Sequence, residues 1–592
     1  MRAFGDASAN HAPLGGRILG LTGAIATEHY LSAQAGMDML KAGGNAFDAA
    51  AAAALTESLV NPHMFTLGGE CPLLAKPAGS DQVFAVNGNV MAPAACSLEA
   101  YLSMGLNMIP PRGVIAAGAP AAPGAILTML ERWGSLPLSV VAEPARALAA
   151  EGFPLHEGLC AMPNYGLAAN ARRFAETWPA TAALYLDADG QTPLAGAAVK
   201  NPDYACLLEE MAARARKAGD GPAGIRAASE FFYKGEPSAI IGAFSRERGG
   251  FLTRRDMETF FTKIEEPCSI DFRGARVHKC GPWSQGPVFL QILRILDRFD
   301  IGAMDPAGAA YLHLWIEAAK LAFADREQYY ADPDATAPPM DALLGEDYAA
   351  LRAGLIDQGR ASLSLRPGDP VRGRALLPEE EIAALSDWGH GTVHVAAADK
   401  WGNLAALTPS GGWISGNEVM PGLGVALTTR LQTFYLDPRH KNAPAPGKRP
   451  RTTLSPSLAV IKGQSGGPGW EMAFGTMGGD QQDQWTSQFL LNMLVFGMTA
   501  QEAIEAPKVT SDHFPNSFYP HEASPGRVKA EERLAPAVID ELSRLGHAVS
   551  VEGPWSAGFI CAALRHGAGT LEAACDPRGN AARVFPAAAM AR

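Results

Sequence analysis

The spacing of apolar residues along this chain switches between the period of helices and the period of strands. Apolar stripes predict helices at 29–41, 45–60, 125–133, 144–150, 204–218, 225–233, 311–330 and 481–496. Short apolar or alternating runs predict strands at 23–27, 72–76, 83–86, 393–398, 404–407, 425–427, 434–436, 458–462 and 471–474. Antiparallel strands beside helices indicate a layered α+β fold.

Local signals refine these predictions. Asn45 or Asp48 can cap the second helix. The long helix at 311–330 carries Glu317, Asp325 and Arg326, which we interpret as a structural ion-pair network. The polar, proline-containing stretch 362–387 has no clear period and is a candidate exposed linker.

Composition excludes several classes of protein. With 592 residues, 47% of them hydrophobic, the chain can build a full core. A net charge of −12 and the absence of a basic stripe argue against a nucleic-acid partner. Eight scattered cysteines without a Cys-x-x-Cys pair fit free thiols in a reducing compartment. We find no secretion signal and no apolar run of the roughly 20 residues that a membrane span needs, so we expect a cytoplasmic protein.

The stretch that precedes the strand at 393–398 carries the most specific chemistry. Gly391 comes directly before Thr392, and a cut between them would leave a threonine with its hydroxyl nucleophile and its amine base on one residue. We expect glycine there to leave the scissile carbonyl uncrowded and to allow a strained backbone. His394 points to the same side as Thr392 and is interpreted as an orienting residue. A glycine–threonine pair before a strand is otherwise most often only a loop end.

Other motifs are weaker. Gly478 and Gly479 stand before the helix at 481–496, where unpaired N–H groups suit an oxyanion hole, although a plain turn would look the same. The segment 463–467 matches Gly-x-Ser-x-Gly, but a strand rather than a helix follows it, so we interpret it as a hairpin loop. His390 and His394 are four apart on a strand, a spacing that does not predict a metal site, and no cofactor motif is present.

Several motifs in order resemble the gamma-glutamyltranspeptidase family of N-terminal-nucleophile hydrolases, over nearly the whole chain. They are Ser32-Ala33-Gln34-Ala35-Gly36, 43–50, Ala322-Phe323-Ala324-Asp325-Arg326, Asp332-Pro333, Thr392-Val393-His394, 446–450, Ser455-Pro456-Ser457, Gly478-Gly479, 496–504 and Asp576-Pro577-Arg578.

This resemblance implies a four-layer αββα sandwich, built from a large subunit (1–391) and a small subunit (392–592) of one self-cleaved precursor. It implies that Thr392 is the nucleophile of both self-cleavage and turnover, that its freed amine is the base, and that Gly478 and Gly479 hold the oxyanion. Ser410 takes the place of a hydroxyl that orients the amine, and Thr452 and Thr453 replace two serines that line the site. Neither metal nor cofactor is implied. A homodimer of processed heterodimers is left open.

The departures from the family concern the substrate. Asn89 stands where the family has the arginine that binds the glutamyl carboxylate, and an amide cannot replace that charged fork. The stretch 428–434 lacks the carboxylate that grips the substrate amine, and it introduces Arg430 instead. Gly412 replaces an asparagine. Lost partners of this kind cost several kcal/mol, roughly enough to abolish γ-glutamyl selectivity.

The sequence therefore predicts an amidohydrolase that acts on a small-molecule amide with a non-glutamyl acyl group. Arg430 is a candidate for binding an acidic acyl group, and a surface or ion-pair role for it is equally open. Two alternatives remain. One is a true γ-glutamyl hydrolase or transpeptidase; the other is a precursor that never cuts and serves as a binding protein.

Overall fold

The fold is described from a computed structural model of the uncut chain, for residues 15–371, 374–375, 391–462, 469–581 and 586–592. Two large antiparallel sheets dominate this part of the chain. One sheet has the strand order Ile18–Gly20, Leu571–Cys575, Ile560–His566, Trp470–Thr476, Ser457–Ile461, Ala275–Lys279 and Cys268–Phe272. The other has the order Ala588–Ala591, Gly23–Thr27, Val395–Asp399, Leu404–Leu407, Leu73–Lys76, Phe84–Asn87 and Lys263–Glu265.

The two sheets pack face to face through small side chains. Ala396 and Ala406 from one sheet and Ala473 and Ala563 from the other belong to the same buried cluster. Alanine methyl groups alternate along these strands, so the sheets can approach closely without leaving voids. Strands that precede Thr392 in the sequence and strands that follow it therefore share one core.

Helices cover the outer faces of both sheets. Tyr30–Lys41 and Ala46–Val60 pack on the sheet that contains Val395–Asp399, while Gly286–Leu296 and Gln482–Leu494 pack on the other sheet. Asn45 and Asp48 cap Ala46–Val60 together in a reciprocal capping box. The order of layers is helix, sheet, sheet, helix, which confirms the predicted αββα sandwich.

The remaining elements surround this sandwich. The other helices are Leu98–Ser103, Ala122–Trp133, Leu138–Val141, Glu143–Glu151, Glu157–Ala161, Leu167–Thr177, Pro179–Tyr185, Pro202–Lys217, Gly221–Lys234, Glu236–Glu247, Arg254–Thr259, Ala309–Tyr329, Pro333–Thr336, Met340–Leu343, Glu346–Ala353, Ala500–Glu505, Pro536–Arg544 and Arg578–Ala581. Smaller sheets are formed by Phe153–Pro154 with Ala198–Val199, by Gly368–Asp369 with Arg374–Ala375, and by Val509–Ser511, Arg527–Glu531 and Ala548–Glu552. Within the described ranges, no helix is both long and apolar enough to cross a membrane.

Most predicted elements are present, with two corrections. The strand predicted at 393–398 begins at Val395, and Thr392 is joined to Ser410 only by an isolated bridge. The strands predicted at 425–427 and 434–436 are wrong, because the chain there forms a loop and the 3-10 turn Arg430–Thr433. The apolar side chains of that loop are buried. Their short apolar runs therefore look like those of buried strands in the sequence.

Candidate active site

Thr392 lies at the entrance to the central strand Val395–Asp399, which pairs with Gly23–Thr27 on one side and Leu404–Leu407 on the other. Its side chain is buried, with 1% of the residue exposed. The Thr392 hydroxyl lies 3.2 Å from the Ser410 hydroxyl across the bridge that joins the two residues. Two of the residues predicted to be catalytic are therefore in contact.

The carbonyl of Gly391 is held by two hydrogen-bond donors. Ser410 Oγ donates to Gly391 O at 2.7 Å, and the indole Nε1 of Trp413 donates to the same oxygen at 2.7 Å. The Trp413 N–H also points to Met64 O, at 2.8 Å. Sequence reasoning did not identify Trp413. The signal available was its position three residues beyond Ser410, after two glycines.

Gly391 packs tightly against the segment that follows the helix Ala46–Val60. A Cβ at this position would lie 2.7 Å from both Cα and Sδ of Met64 and 2.8 Å from His63 O. The position therefore needs the absence of a side chain. The expected strained backbone stays a prediction, because the φ angle of Gly391 involves His390, which lies outside the described residues.

Arg430 lies directly behind Ser410 and is fully buried. Its Nη2 donates to Ser410 Oγ at 2.8 Å, and its Nε forms an ion pair with Glu70 Oε1. Thr428 Oγ1 donates to the other Glu70 oxygen at 2.9 Å. Burial raises the pKa of Glu70, while the positive charge of Arg430 opposes that rise. The guanidinium therefore already has a carboxylate partner inside the protein.

Aromatic rings enclose the rest of the Arg430 guanidinium. Its central carbon lies 5.1 Å from the ring centre of Trp413 and 5.1 Å from that of Phe518. Such stacking stabilises a desolvated cation. Nη1 has no hydrogen-bond partner within the described residues, so it is the nitrogen left for a ligand.

Two glycines make room for this arrangement. A Cβ on Gly411 would lie about 2.5 Å from the carboxylate oxygens of Glu70, and a Cβ on Gly412 would overlap Thr66 Oγ1. Both glycines have positive φ. An asparagine side chain at position 412 has no space beside Thr66, so the departure noted in the sequence accompanies a close contact between Gly412 and Thr66.

His394 is buried beneath Thr392 and remains neutral. Its Nδ1 lies 3.0 Å from Thr408 Oγ1, and its backbone N–H donates to Glu28 Oε2 at 2.9 Å. Burial lowers the pKa of His394 to about 3. Its ring lies against Gly475, where any Cβ would overlap it. These contacts fit the predicted orienting role, which they do not test.

Two carboxyl groups lie deep beside this strand. Burial raises the pKa of Glu28 well above its ordinary value, and the nearby Glu57 raises it further. Burial also raises the pKa of Glu57 to about 7, although hydrogen bonds from Thr27 and Asn61 oppose that effect. At neutral pH this corner of the site therefore carries less negative charge than its composition indicates.

The glycine pair forms a turn at the end of the strand Trp470–Thr476. Gly478 and Gly479 both have positive φ, and neither N–H donates to a protein acceptor within the described residues. A cavity of about 360 Å³ begins at Met477–Gln481 and includes the ring of Phe518 in its wall. Two free amides beside a cavity have the arrangement that an oxyanion hole requires.

A buried ion pair holds this turn from behind. Arg326 pairs with Asp480, and Asp480 also accepts hydrogen bonds from the Ser517 backbone and hydroxyl, each at 2.7 Å. Gln285 Nε2 donates to Gly479 O at 3.2 Å. The predicted structural role of Arg326 is confirmed, and its effect is to fix the direction of the glycine amides.

The other predicted substrate residues lie in the same core but are partly committed to protein contacts. Asn89 is buried, and its amide donates to Pro450 O while accepting from Val90 N at 2.9 Å. Thr452 Oγ1 accepts from Leu454 N at 3.4 Å. The Thr453 hydroxyl is buried without a partner in the part of the chain that is described. Of these three side chains, Thr453 has the clearest capacity to bind a ligand.

One group of side chains has the composition of a metal site. His313, Glu317 and His547 lie within 4.8 Å of one another. However, His313 bonds to His547 at 2.8 Å and to Asp357 O at 2.8 Å, and Glu317 pairs with Lys320 and Arg366. Two cations beside the only carboxylate oppose binding of a metal ion, so we interpret the group as structural. His390 and the segment 463–467 lie outside the described residues.

Comparison with known proteins gives a consistent result. A family model described as gamma-glutamyltranspeptidase matches residues 32–585. The glutathione hydrolase-like YwrD proenzyme of Bacillus subtilis (strain 168) is 30% identical over 573 residues, which cover 96% of this chain and 99% of that protein. The oxamate amidohydrolase proenzyme of Klebsiella pneumoniae is 28% identical and covers 95% of this chain and 98% of that protein.

Acylases are similar as well. The acylase ACY 1 proenzyme of Pseudomonas sp. (strain SE83) is 29% identical, over 97% of this chain and 95% of that protein. The crystal structure of cephalosporin acylase from Bacillus halodurans matches with a TM-score of 0.82 at 29% identity, over 100% of this chain and 99% of that one. A solved structure of LmbA2991T421A matches with a TM-score of 0.90 at 37% identity, over 98% and 100% of the two chains.

Proposed function

Because this chain belongs to the gamma-glutamyltranspeptidase family, we propose that it is an N-terminal threonine amidohydrolase that cuts itself between Gly391 and Thr392. The observation that carries this proposal is the contact between the Thr392 hydroxyl, the Ser410 hydroxyl and the Gly391 carbonyl. The precursor would become a large subunit, 1–391, and a small subunit, 392–592. Their strands are neighbours in one sheet, so the cut would not separate two domains.

The freed amine of Thr392 would then act in turnover. It takes the proton of the Thr392 hydroxyl as Oγ attacks the substrate carbonyl, and the N–H groups of Gly478 and Gly479 stabilise the oxyanion. The protonated amine gives its proton to the leaving nitrogen, and water hydrolyses the acyl-Thr392 ester. Ser410 holds the amine in position.

We further propose that the acyl group is not γ-glutamyl. Asn89 cannot form the charged fork of an arginine, and its amide is already bonded to Pro450 O. The loop around the 3-10 turn Arg430–Thr433 offers a guanidinium where the family has a carboxylate. Relatives named as acylase and oxamate amidohydrolase act on other acyl groups by their names, which supports the proposal.

An acidic acyl group fits the hydrogen-bond capacity that remains on two of the predicted substrate residues. Arg430 Nη1 and the Thr453 hydroxyl are both buried without a protein partner in the described ranges. A carboxylate accepts from both kinds of donor. Glu70 already neutralises Arg430, so a carboxylate would be held by hydrogen bonds rather than by net charge.

A reducing, cytoplasmic location completes the proposal. All eight cysteines are free thiols in the structure, and five of them are buried. Free thiols on a large chain are typical of a reducing compartment.

The first experiment is the mass of the purified protein under denaturing conditions. We expect two fragments that meet at Gly391/Thr392, and a single uncut chain for Thr392→Ala. Thr392→Ser is the matched control, because it keeps the hydroxyl and should still cut. A single uncut wild-type chain would contradict self-cleavage and favour the silent binding protein.

The second experiment compares substrates on the processed enzyme. The panel contains a γ-glutamyl anilide, a dicarboxylic monoanilide and a neutral acyl anilide, which share one leaving group. We expect higher kcat/KM for an acyl group without the glutamyl α-amine and α-carboxylate. Fastest turnover of the γ-glutamyl anilide would instead establish the alternative of a true γ-glutamyl hydrolase.

A further inference from the structure

The hydrogen bonds at Gly391 fix the direction of every proton in the cleavage site. Arg430 Nη2 can only donate to Ser410 Oγ, and the Gly391 carbonyl can only accept from it. The single proton of Ser410 must therefore point to Gly391 O. The Thr392 hydroxyl, 3.2 Å away, is left to donate to Ser410 Oγ. A continuous path for a proton leads from the nucleophile to the scissile carbonyl.

The same carbonyl has a second donor that no predicted residue supplies. Trp413 Nε1 lies 2.7 Å from Gly391 O, as close as Ser410 Oγ. The glycine pair Gly478-Gly479 makes no hydrogen bond to Gly391 O within the described residues. In the uncut chain the scissile carbonyl is therefore polarised by a donor pair different from the one proposed for turnover.

We propose that Trp413 is a catalytic residue of self-cleavage: its indole N–H and the Ser410 hydroxyl form an oxyanion site that serves the cut at Gly391. The Glu70–Arg430 ion pair positions Ser410 for this step. The inference rests on the proposed self-cleavage and adds to it the residues that stabilise its transition state.

The step balances without an additional base. Thr392 Oγ forms a bond to the Gly391 carbonyl carbon while its proton passes to Ser410 Oγ, and the Ser410 proton passes to Gly391 O. The intermediate collapses as the carbon–nitrogen bond breaks and the proton on that oxygen moves to the Thr392 nitrogen. One water molecule then hydrolyses the ester and releases the Gly391 carboxylate and the Thr392 hydroxyl. During the addition, Trp413 donates to Gly391 O and stabilises the negative charge that builds there until the Ser410 proton is transferred.

The second bond of Trp413 explains why this donor would be specific to cleavage. Its N–H is shared between Gly391 O and Met64 O, which lies 2.8 Å away. After cleavage, the new carboxyl terminus at Gly391 can move away from Trp413. The indole N–H then keeps its hydrogen bond to Met64 O, so no buried donor is left without a partner. The indole therefore need not bind a substrate in order to remain stable in the processed enzyme.

The test is the cleavage rate of Trp413→Phe precursor, followed by mass spectrometry from the time of synthesis. Phenylalanine keeps an aromatic ring against Arg430 and removes the N–H. Loss of one oxyanion donor slows acyl transfer by about 100-fold or more, and we expect a fall of that order. Trp401→Phe is the matched control, because Trp401 is about half exposed on a turn and should cleave at the wild-type rate.

Further measurements separate a chemical role from a structural one. The fall in cleavage rate should exceed any fall in turnover per processed molecule, whereas a distorted site would lower both alike. If Trp413→Phe has a lower melting temperature than the wild type, a second variant carries benzothienyl-alanine at position 413. This residue keeps the shape of the indole without its N–H, and the variant should still cleave slowly. Wild-type cleavage by either folded variant would overturn this inference alone. An uncut wild-type chain would instead overturn the proposed function.

Discussion

The guanidinium of Arg430 donates through Nη2 to the Ser410 hydroxyl at 2.8 Å and forms, through the neighbouring Nε, a fully buried ion pair with Glu70. Removing one member of a buried pair leaves an uncompensated charge, which costs more than the pair contributes. The positions of Ser410 and of Thr392, which it contacts, therefore depend on the carboxylate of Glu70, which precedes Ser410 by 340 residues.

The first prediction concerns the stability of this pair. Glu70→Ala should destabilise the chain by about 3–5 kcal/mol, because it leaves the Arg430 charge buried and unpaired. The double change Glu70→Ala with Arg430→Met should recover part of that loss, since no charge then remains. Denaturant unfolding in the uncut Thr392→Ala background measures both. Equal unfolding midpoints for the single and double variants would contradict the pairing.

The second prediction concerns Gly391. Gly391→Ala places a methyl group 2.7 Å from Met64 Cα and 2.8 Å from His63 O, so the scissile carbonyl must move away from Ser410 and Trp413. We expect slow cleavage with a melting temperature close to that of the wild type, because Gly391 lies outside the regular strands, four residues before Val395–Asp399. Gly553→Ala is the control, since a Cβ there meets nothing within 4 Å. Rapid cleavage of Gly391→Ala would mean that the close contact is unimportant.

The sequence predicted the elements around Thr392 because their signals are local. The hairpin of Val395–Asp399 and Leu404–Leu407 follows from alternating residues within fifteen positions. The strands Cys268–Phe272 and Ile560–His566 were not predicted, although each pairs with the strand that follows it in sequence. Glu70 and Trp413 were missed for a different reason. Each gains its role from a residue on another segment, Arg430 for Glu70 and Gly391 for Trp413.

The third prediction concerns the pH dependence of turnover. The proposed base is the Thr392 amine; an α-amine has an ordinary pKa of about 7.7–8.0, so kcat/KM should fall as the pH drops through the pKa of that amine. Burial holds the pKa of His394 at about 3, so His394 does not titrate in this range. His394→Gln should lower kcat/KM without moving the midpoint of this limb. A midpoint that shifts or vanishes in His394→Gln would assign the limb to the histidine.

The fourth prediction concerns stability and pH. The pKa of Glu57 rises from 4.5 to about 7 on folding, so the folded chain holds a proton that the unfolded chain releases. Its contribution is complete below pH 4.5 and is lost as the pH rises through 7. The loss amounts to roughly 3 kcal/mol at about 1.4 kcal/mol per pH unit.

The variant Glu57→Gln isolates the contribution of this proton to the free energy of unfolding. The amide cannot ionise, so the wild type should lose stability relative to the variant between pH 4.5 and pH 7, and the two curves should run parallel at lower pH. Unfolding midpoints of both chains in the Thr392→Ala background, taken at several pH values, give the difference. A gap that is constant with pH would show that Glu57 is ionised in the folded chain.

The last prediction separates the two roles open to Arg430. Any change at Arg430 disturbs Ser410 and lowers turnover of all substrates, so the informative quantity is a ratio. We compare kcat/KM for a dicarboxylic monoanilide with that for its methyl ester, which differ only in the charged carboxylate. If Arg430 Nη1 binds that carboxylate, Arg430→Gln should lower the ratio by about tenfold or more, the value of a charge-assisted hydrogen bond. Arg439→Gln, at an exposed arginine, should leave the ratio unchanged.

An unchanged ratio in Arg430→Gln would mean that Arg430 contacts only Glu70 and Ser410 and does not bind the substrate. Binding of the acyl group would then depend on Thr453 and on the cavity beyond Gly479.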